Sequence, residues 1–272
     1  MSPATATSAT SSSRSPRVTS TRPTAPLLTF VSGSGGVGKS TLSLTSAWLA
    51  SLAGVKTALV EADLQFGDFG CWLGLDDDEA CLDAGLAAEP VHLADDLVLY
   101  KAPPFPEVAE EVADDVAALV GAIRRAYDLV VCDTGSLWSG LNASLVSTSS
   151  IVACVADGRP ASVMACVRAL ELCTRIGAAS SRCVTVYNRY CGKSRLTHKE
   201  VESALGGGHV SDVSEGRGIV DSLMSVGAVD DLVASGNPMV TGVDAFLCEV
   251  LPRVGIVYGG AVLRRRRAGA RR

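Results

Sequence analysis

Lysine is scarce in this chain of 272 residues: only Lys39, Lys56, Lys101, Lys193 and Lys199 occur, and arginine supplies the rest of the 24 positive charges. No run of about 18 apolar residues is free of charges and turn formers, so a membrane-spanning helix is not expected. The nine cysteines include no C-x-x-C pair, and several sit inside apolar runs. That usage predicts buried thiols in a reducing compartment, with no cysteine as a metal ligand. His92, His198 and His209 lie apart without ligand spacing and read as surface residues. The first 26 residues are Ser, Thr, Pro and Ala with a few Arg and no apolar stretch, which excludes a secretory signal and predicts a disordered leader. Together these absences predict a soluble, cytoplasmic protein.

Positive charge is also missing from the body. The net charge is -5, and it becomes -11 without the six arginines at 264–267, 271 and 272. An acidic body argues against an extended nucleic-acid surface, because that affinity comes largely from Lys and Arg neutralising phosphates. The basic cluster Arg264 to Arg272 follows a glycine-interrupted apolar stretch, Val254 to Leu263. It reads either as a solvated flexible tail or as a peripheral contact with anionic membrane at the inner face or a cell pole. The expected organisation is a leader over 1–26, one domain over 27–252 and a basic, flexible tail over 253–272. No internal repeat is present.

Six short apolar, β-branched runs predict strands: Leu27 to Ser32, Thr57 to Glu61, Leu97 to Lys101, Asp128 to Cys132, Ile151 to Ala156 and Cys183 to Asn188. Between them, Ser40 to Leu52, Glu107 to Tyr127, Ala161 to Ile176 and Thr197 to Leu205 carry apolar residues at spacings of three and four, the helical period. After Gly206 the pattern weakens into helical pieces at Val220 to Val226 and Asp230 to Ala234, then an apolar stretch Val243 to Leu251 ended by Pro252. This alternation predicts an α/β fold, a mostly parallel central sheet with helices on both faces in a three-layer sandwich.

The first strand runs into Gly33, Ser34, Gly35, Gly36, Val37, Gly38, Lys39, Ser40 and Thr41, which satisfy G-x-x-x-x-G-K-S between a strand and a helix. Glycines let the backbone amides turn around an anion, and the helix N-terminus adds partial positive charge. Lys39 would face the terminal phosphates of ATP, and Ser40 would ligate Mg2+. A second Gly192-Lys193-Ser194 lacks the glycine five residues earlier, where Tyr187 stands, and is coincidence. Magnesium chemistry also needs carboxylates at neighbouring strand ends, and Asp63 and Asp133 fall there. Each can also be read as a strand-end cap, but beside the loop a functional role is favoured.

The run Ser34 to Thr41 resembles the deviant Walker A loop of the MinD and ParA ATPases, P-loop proteins whose members read Lys-Gly-Gly-Val-Gly-Lys-Thr. Ser34 stands where that family has its signature lysine, which reaches a partner's nucleotide across a dimer. The resemblance therefore implies an ATP- and Mg2+-binding homodimer whose hydrolysis is weak or absent. The segment Leu59-Val-Glu-Ala-Asp-Leu-Gln-Phe-Gly-Asp68, followed by Trp72 to Leu75 and Leu82 to Leu86, is similar to the CpaE and TadZ branch, with Glu61 replacing its first acid. From that branch Asp63 is expected to position the attacking water, Asp133 to serve as the magnesium-side acid, and Asn188 to contact the base. A turn residue ending a strand is an equal reading of Asn188. The branch implies assembly or polar placement of a Flp/Tad-type pilus or secretion machine. A related septum-site-determining group implies the alternative, a positioning ATPase acting on cell division or chromosome partition.

Overall fold

The computed structural model describes residues 24–76, 82, 89–191 and 194–262. The leader through residue 23, most of the 82–86 segment and the arginine cluster 264–272 lie outside the described residues. Eight strands form one sheet: β1 Leu27–Val31, β2 Thr57–Ala62, β3 Val91–Ala94, β4 Leu97–Tyr100, β5 Leu129–Thr134, β6 Ile151–Asp157, β7 Cys183–Tyr190 and β8 Val210–Ser214. Their order is β3-β4-β2-β5-β1-β6-β7-β8, with every neighbour parallel except the edge pair β3 and β4. The chain leaves β1 for β2 on one side and later reaches β6 on the other, so β1 marks the place where the winding reverses. In open α/β sheets, ligands collect in the crevice at such a switch point.

The alternation within β1 shows why the sheet is covered twice. Leu28 and Phe30 point into one core, against helix α1 (Lys39–Leu52) and helix α9 (Pro238–Val250), while Leu27 and Val31 enter the cores on the other face. Helices α3 (Ala109–Ile123), α4 (Gly140–Thr148) and α5 (Pro160–Ile176) cover that second face. The short helices α2 (Phe69–Leu73), α6 (His198–Ala204), α7 (Gly218–Met224) and α8 (Val229–Ala234) complete the described set.

All six expected strands and four crossover helices are present, with shifted ends. The helix expected from Glu107 begins as a 3-10 turn, Pro106–Val108, and α3 ends at Ile123. The edge strands β3 and β8 and the helices α2 and α4 were not expected. Helix α9 starts at Pro238, five residues before the apolar stretch, because Asn237 caps it by accepting from the Met239 amide (2.9 Å). Packed chain also continues past Pro252. Buried Asp244 on α9 accepts hydrogen bonds from the Tyr258 hydroxyl (2.5 Å) and the Ala261 amide (2.9 Å), holding that segment in the core. Among the described residues no helix is long and apolar enough to cross a membrane. Cys132, Cys154, Cys166 and Cys173 are buried thiols as expected, whereas Cys71 and Cys248 are exposed.

Candidate functional site

The loop Ser32 to Gly38 joins the C-terminal end of β1 to α1. Gly36 (φ 70°) and Gly38 (φ 91°) adopt left-handed conformations that other residues reach only with strain. Gly33 and Gly38 also permit close approach: a Cβ on Gly33 would lie 2.3 Å from the Ala165 carbonyl of α5, and one on Gly38 would lie 2.4 Å from Asn188 Nδ2. The Ser32 hydroxyl donates to the Ser34 carbonyl at 2.8 Å and closes the turn.

Three successive peptides of the loop are held from outside. Asn188 Nδ2 donates to the Val37 carbonyl (2.8 Å), Arg189 Nη1 to the Gly36 carbonyl (2.9 Å) and Arg159 Nη2 to the Gly35 carbonyl (3.3 Å). Arg159 is itself fixed by Asp157, whose carboxylate accepts from its Nε at 2.8 and 2.9 Å. A trans peptide points its N–H away from its C=O, and the described residues contain no cis bond. With their carbonyls tied outward, the Gly36, Val37 and Gly38 amides face the opposite side. Cations on the carbonyls also polarise those amides into better donors. Helix α1 has no side-chain cap and no acid in its first turn, so its N-terminal amides add to an electropositive cradle. Lys39, its first residue, is buried.

Two carboxyls close the site from neighbouring strands. Asp133 on β5 lies in register with Phe30 on one side and Glu61 on the other. Burial pushes its carboxyl up to about 6; the Ser40 hydroxyl, the Lys39 ammonium and the Ser43 hydroxyl oppose that, while Asp63 adds to it. Its Oδ1 is buried with no hydrogen-bond partner among the described residues. Buried polar atoms are nearly always satisfied. An orphaned carboxylate oxygen beside Ser40 suits a hard divalent cation such as Mg2+, which takes oxygen ligands. The expected pair Ser40 and Asp133 is thus brought together.

Glu61 is arranged differently. Its Oε1 accepts from the Phe69 amide (2.7 Å) and its Oε2 from the Ala102 amide (2.9 Å). Burial drives its carboxyl up to about 7, against the pull of those two amides. The residue in the first-acid position therefore braces the loop after β2 and the end of β4. Gly67 wraps so closely that a Cβ there would lie 2.5 Å from Glu61 Cδ.

Asp63, just past β2, accepts from the Phe66 amide at 3.2 Å and overhangs Gly135, where a Cβ would lie 3.1 Å from its Oδ1. Asp63 and Asp133 are thereby brought to one place, with Glu61 beneath. Asp63 borders a cavity of about 430 Å³ between this loop and the start of α4, and Phe66 and Leu137 stand exposed around it. On the far side of the phosphate loop a second cavity of about 400 Å³ is lined by Gly38, Thr41, Asn188, Arg189, Arg217 and Met239 among others. That is a suitable volume for a small ligand. Asn188 therefore faces a cavity while its amide nitrogen is spent on the loop.

Arg159 and Asp157, the clamp on Gly35, were not expected from the sequence. The available signal was Asp157-Gly-Arg-Pro160 at a strand-to-helix junction, the same kind of position as the phosphate loop itself.

The family model for the CobQ/CobB/MinD/ParA nucleotide binding domain matches residues 28–237. No curated protein matches the sequence at a significant level. Solved structures do share the fold. A ParA family ATPase from Chlorobium tepidum TLS superposes with a TM-score of 0.71 at 20% identity, covering 80% of this chain and 96% of that one. The septum site-determining protein MinD from Pyrococcus horikoshii OT3, complexed with Mg-ADP, gives a TM-score of 0.71 at 15% identity over 85% and 98% of the two chains. The MinC:MinD cell division protein complex of Aquifex aeolicus gives a TM-score of 0.65 at 18% identity over 83% and 96%.

Proposed function

This chain belongs to the CobQ/CobB/MinD/ParA nucleotide-binding domain family, and from that premise we propose that it binds ATP with Mg2+ and acts as a nucleotide-dependent scaffold with little hydrolysis. The observation that carries this reading is the orphaned Oδ1 of Asp133 beside Ser40, below a loop whose amides face inward. Lys39 and the loop amides would hold the phosphates, with Ser40 and Asp133 holding the metal. Bound Mg2+ offsets charge on the terminal phosphates. Asp63, over Gly135, is the residue for orienting water. Ser34 brings no cation where similar ATPases have their signature lysine, and slow phosphate release follows.

The finer role is assembly or polar placement of a Flp/Tad-type pilus or secretion machine by a cytoplasmic homodimer, supported by the Leu59 to Asp68 segment. The Arg264 to Arg272 tail is the candidate contact with anionic membrane. A second reading, a positioning ATPase in cell division or chromosome partition, is favoured by the shared fold with the MinD protein complexed with MinC.

Calorimetry of ATP with Mg2+, paired with phosphate release, tests the nucleotide reading on wild type, Lys39→Ala and Ser34→Lys. Wild type should bind and release little phosphate, Lys39→Ala should lose binding, and Ser34→Lys should release more. Failure of wild type to bind ATP with Mg2+ sinks the reading.

A further inference from the structure

Arg217 holds a conformation that glycine, not arginine, normally takes. Its φ of 57° and ψ of -171° lie in a region that is essentially reserved for glycine, although Gly216 and Gly218 stand on either side of it. The surroundings enforce the strain. The Gly216 carbonyl accepts from buried Asn237 Nδ2 at 2.9 Å, and a Cβ on Gly216 would lie 2.1 Å from Val220 Cγ2. The Glu215 amide is tied to the Tyr190 carbonyl at 3.0 Å.

The Arg217 guanidinium makes no hydrogen bond or ion pair with the described residues, and the residue is exposed. It stands between the 400 Å³ cavity behind the phosphate loop and a second one of about 570 Å³ that includes Tyr190 and Ile219. Strained, over-determined residues cluster at ligand clamps.

We propose that Arg217 is a clamp for the nucleobase, its guanidinium stacking on the base of a nucleotide whose phosphates occupy the Gly33 to Thr41 loop. This rests on the nucleotide reading above. The cavity narrows the choice of contact. At the loop end, Lys39 and the inward amides already provide for phosphate. The cavity Arg217 borders has a mixed lining, in which Leu42, Val220 and Met239 meet Thr41, Asn188, Glu215 and Asp221, and the two carboxyls suit a neutral base better than a further anion. A planar, weakly hydrated guanidinium stacks well on an aromatic face. The strained backbone sets the direction in which the Arg217 side chain leaves the loop.

The test measures binding of Mg-ATP and of inorganic tripolyphosphate to the full chain, for wild type, Arg217→Gly and Arg217→Ala. Both variants should lose ATP affinity by roughly three- to thirtyfold, the range of a stacked cation, and keep tripolyphosphate affinity. Arg217→Gly should also melt a few degrees higher, about 2–4 °C for a domain of this size, because glycine relieves the strain. Arg217→Ala, which keeps the strained backbone, should lose ATP affinity without that gain. Unchanged ATP affinity in both variants overturns the proposal, and so does an equal loss for both ligands, which would put Arg217 on the phosphates. A melting temperature that does not rise in Arg217→Gly removes the strained clamp. Wild type that binds neither ligand overturns the nucleotide reading instead.

Discussion

The C-terminal ends of β2 and β5 lie side by side, and each carries a buried carboxyl, Glu61 and Asp133, paired in register. Both are driven upward by burial, to about 7 and about 6. By that measure they are alike. Their hydrogen bonds separate them: both oxygens of Glu61 are occupied by backbone amides, whereas Asp133 leaves Oδ1 bare. A raised carboxyl in a crevice is therefore an ambiguous sign of function, and unfilled bonding capacity is the better one. One strand end is finished by the fold, and the other is left for a ligand.

Breaking the finished end should have the largest effect. Glu61→Gln puts an amide donor against one of two backbone amides and leaves a buried N–H unsatisfied, at roughly 1–3 kcal/mol. The expected outcome is a melting temperature lower by several degrees with Mg-ATP affinity little changed in the folded fraction. A variant as stable as wild type would show that the bracket is idle.

Asp133→Asn should do the reverse. Stability without ligand should hold or rise slightly, since a charge that burial disfavours is removed, while the gain in ATP affinity on adding Mg2+ should drop about tenfold or more. Retained magnesium dependence would count against Asp133 as a ligand.

Titration sharpens the contrast. Each carboxyl has a folded value above its ordinary one, 4.5 for Glu61 and 3.8 for Asp133, so the fold favours the neutral form. Each contributes stability that is complete below the unfolded value and is lost as pH rises through the folded value. Ligand-free protein should therefore melt lower at pH 7.5 than at pH 5, as thermal melts across that range would show. Mg-ATP should offset the Asp133 share, because a metal takes the ionised carboxylate, and Asp133→Asn should flatten the part below about 6. Melting that is independent of pH between 4 and 7.5 would contradict both assignments.

The smallest effect belongs to Arg159→Ala. Its side chain is 60% exposed, so screening limits its hold on the Gly35 carbonyl, and ATP affinity should fall by roughly two- to fivefold, less at high salt. A loss that ignores salt would mean that Arg159 acts by packing.

The central strands and the phosphate loop were legible because their signals are local: β-branched runs for β1, β2, β5, β6 and β7, and glycines with Lys39 at fixed spacing. The edge strands were not. β3 reads Val-His-Leu-Ala and β8 Val-Ser-Asp-Val-Ser, four and five residues that bury only part of their surface. Helix α4, Gly-Leu-Asn-Ala-Ser-Leu-Val-Ser-Thr, is rich in residues that favour turns, and it is held by its Ser139 cap and by its place between α3 and α5. Site residues divided the same way. Asp63 and Asp133 follow from strand ends, but the clamps on the loop come from Arg159, Asn188 and Arg189, more than a hundred residues downstream, through contacts that only the winding order creates. Glu61 looked like a conservative exchange of one acid for another. Its longer reach to the Phe69 and Ala102 amides is a tertiary fact.

Gly33 sits close against Ala165 and Gly38 against Asn188, and between them three outside donors hold the Gly35, Gly36 and Val37 carbonyls. The conformational entropy of the phosphate loop is therefore surrendered during folding, and an arriving anion meets amides that are already aimed. Binding then becomes mainly an exchange of water for phosphate oxygens, with little ordering of the chain left to oppose it.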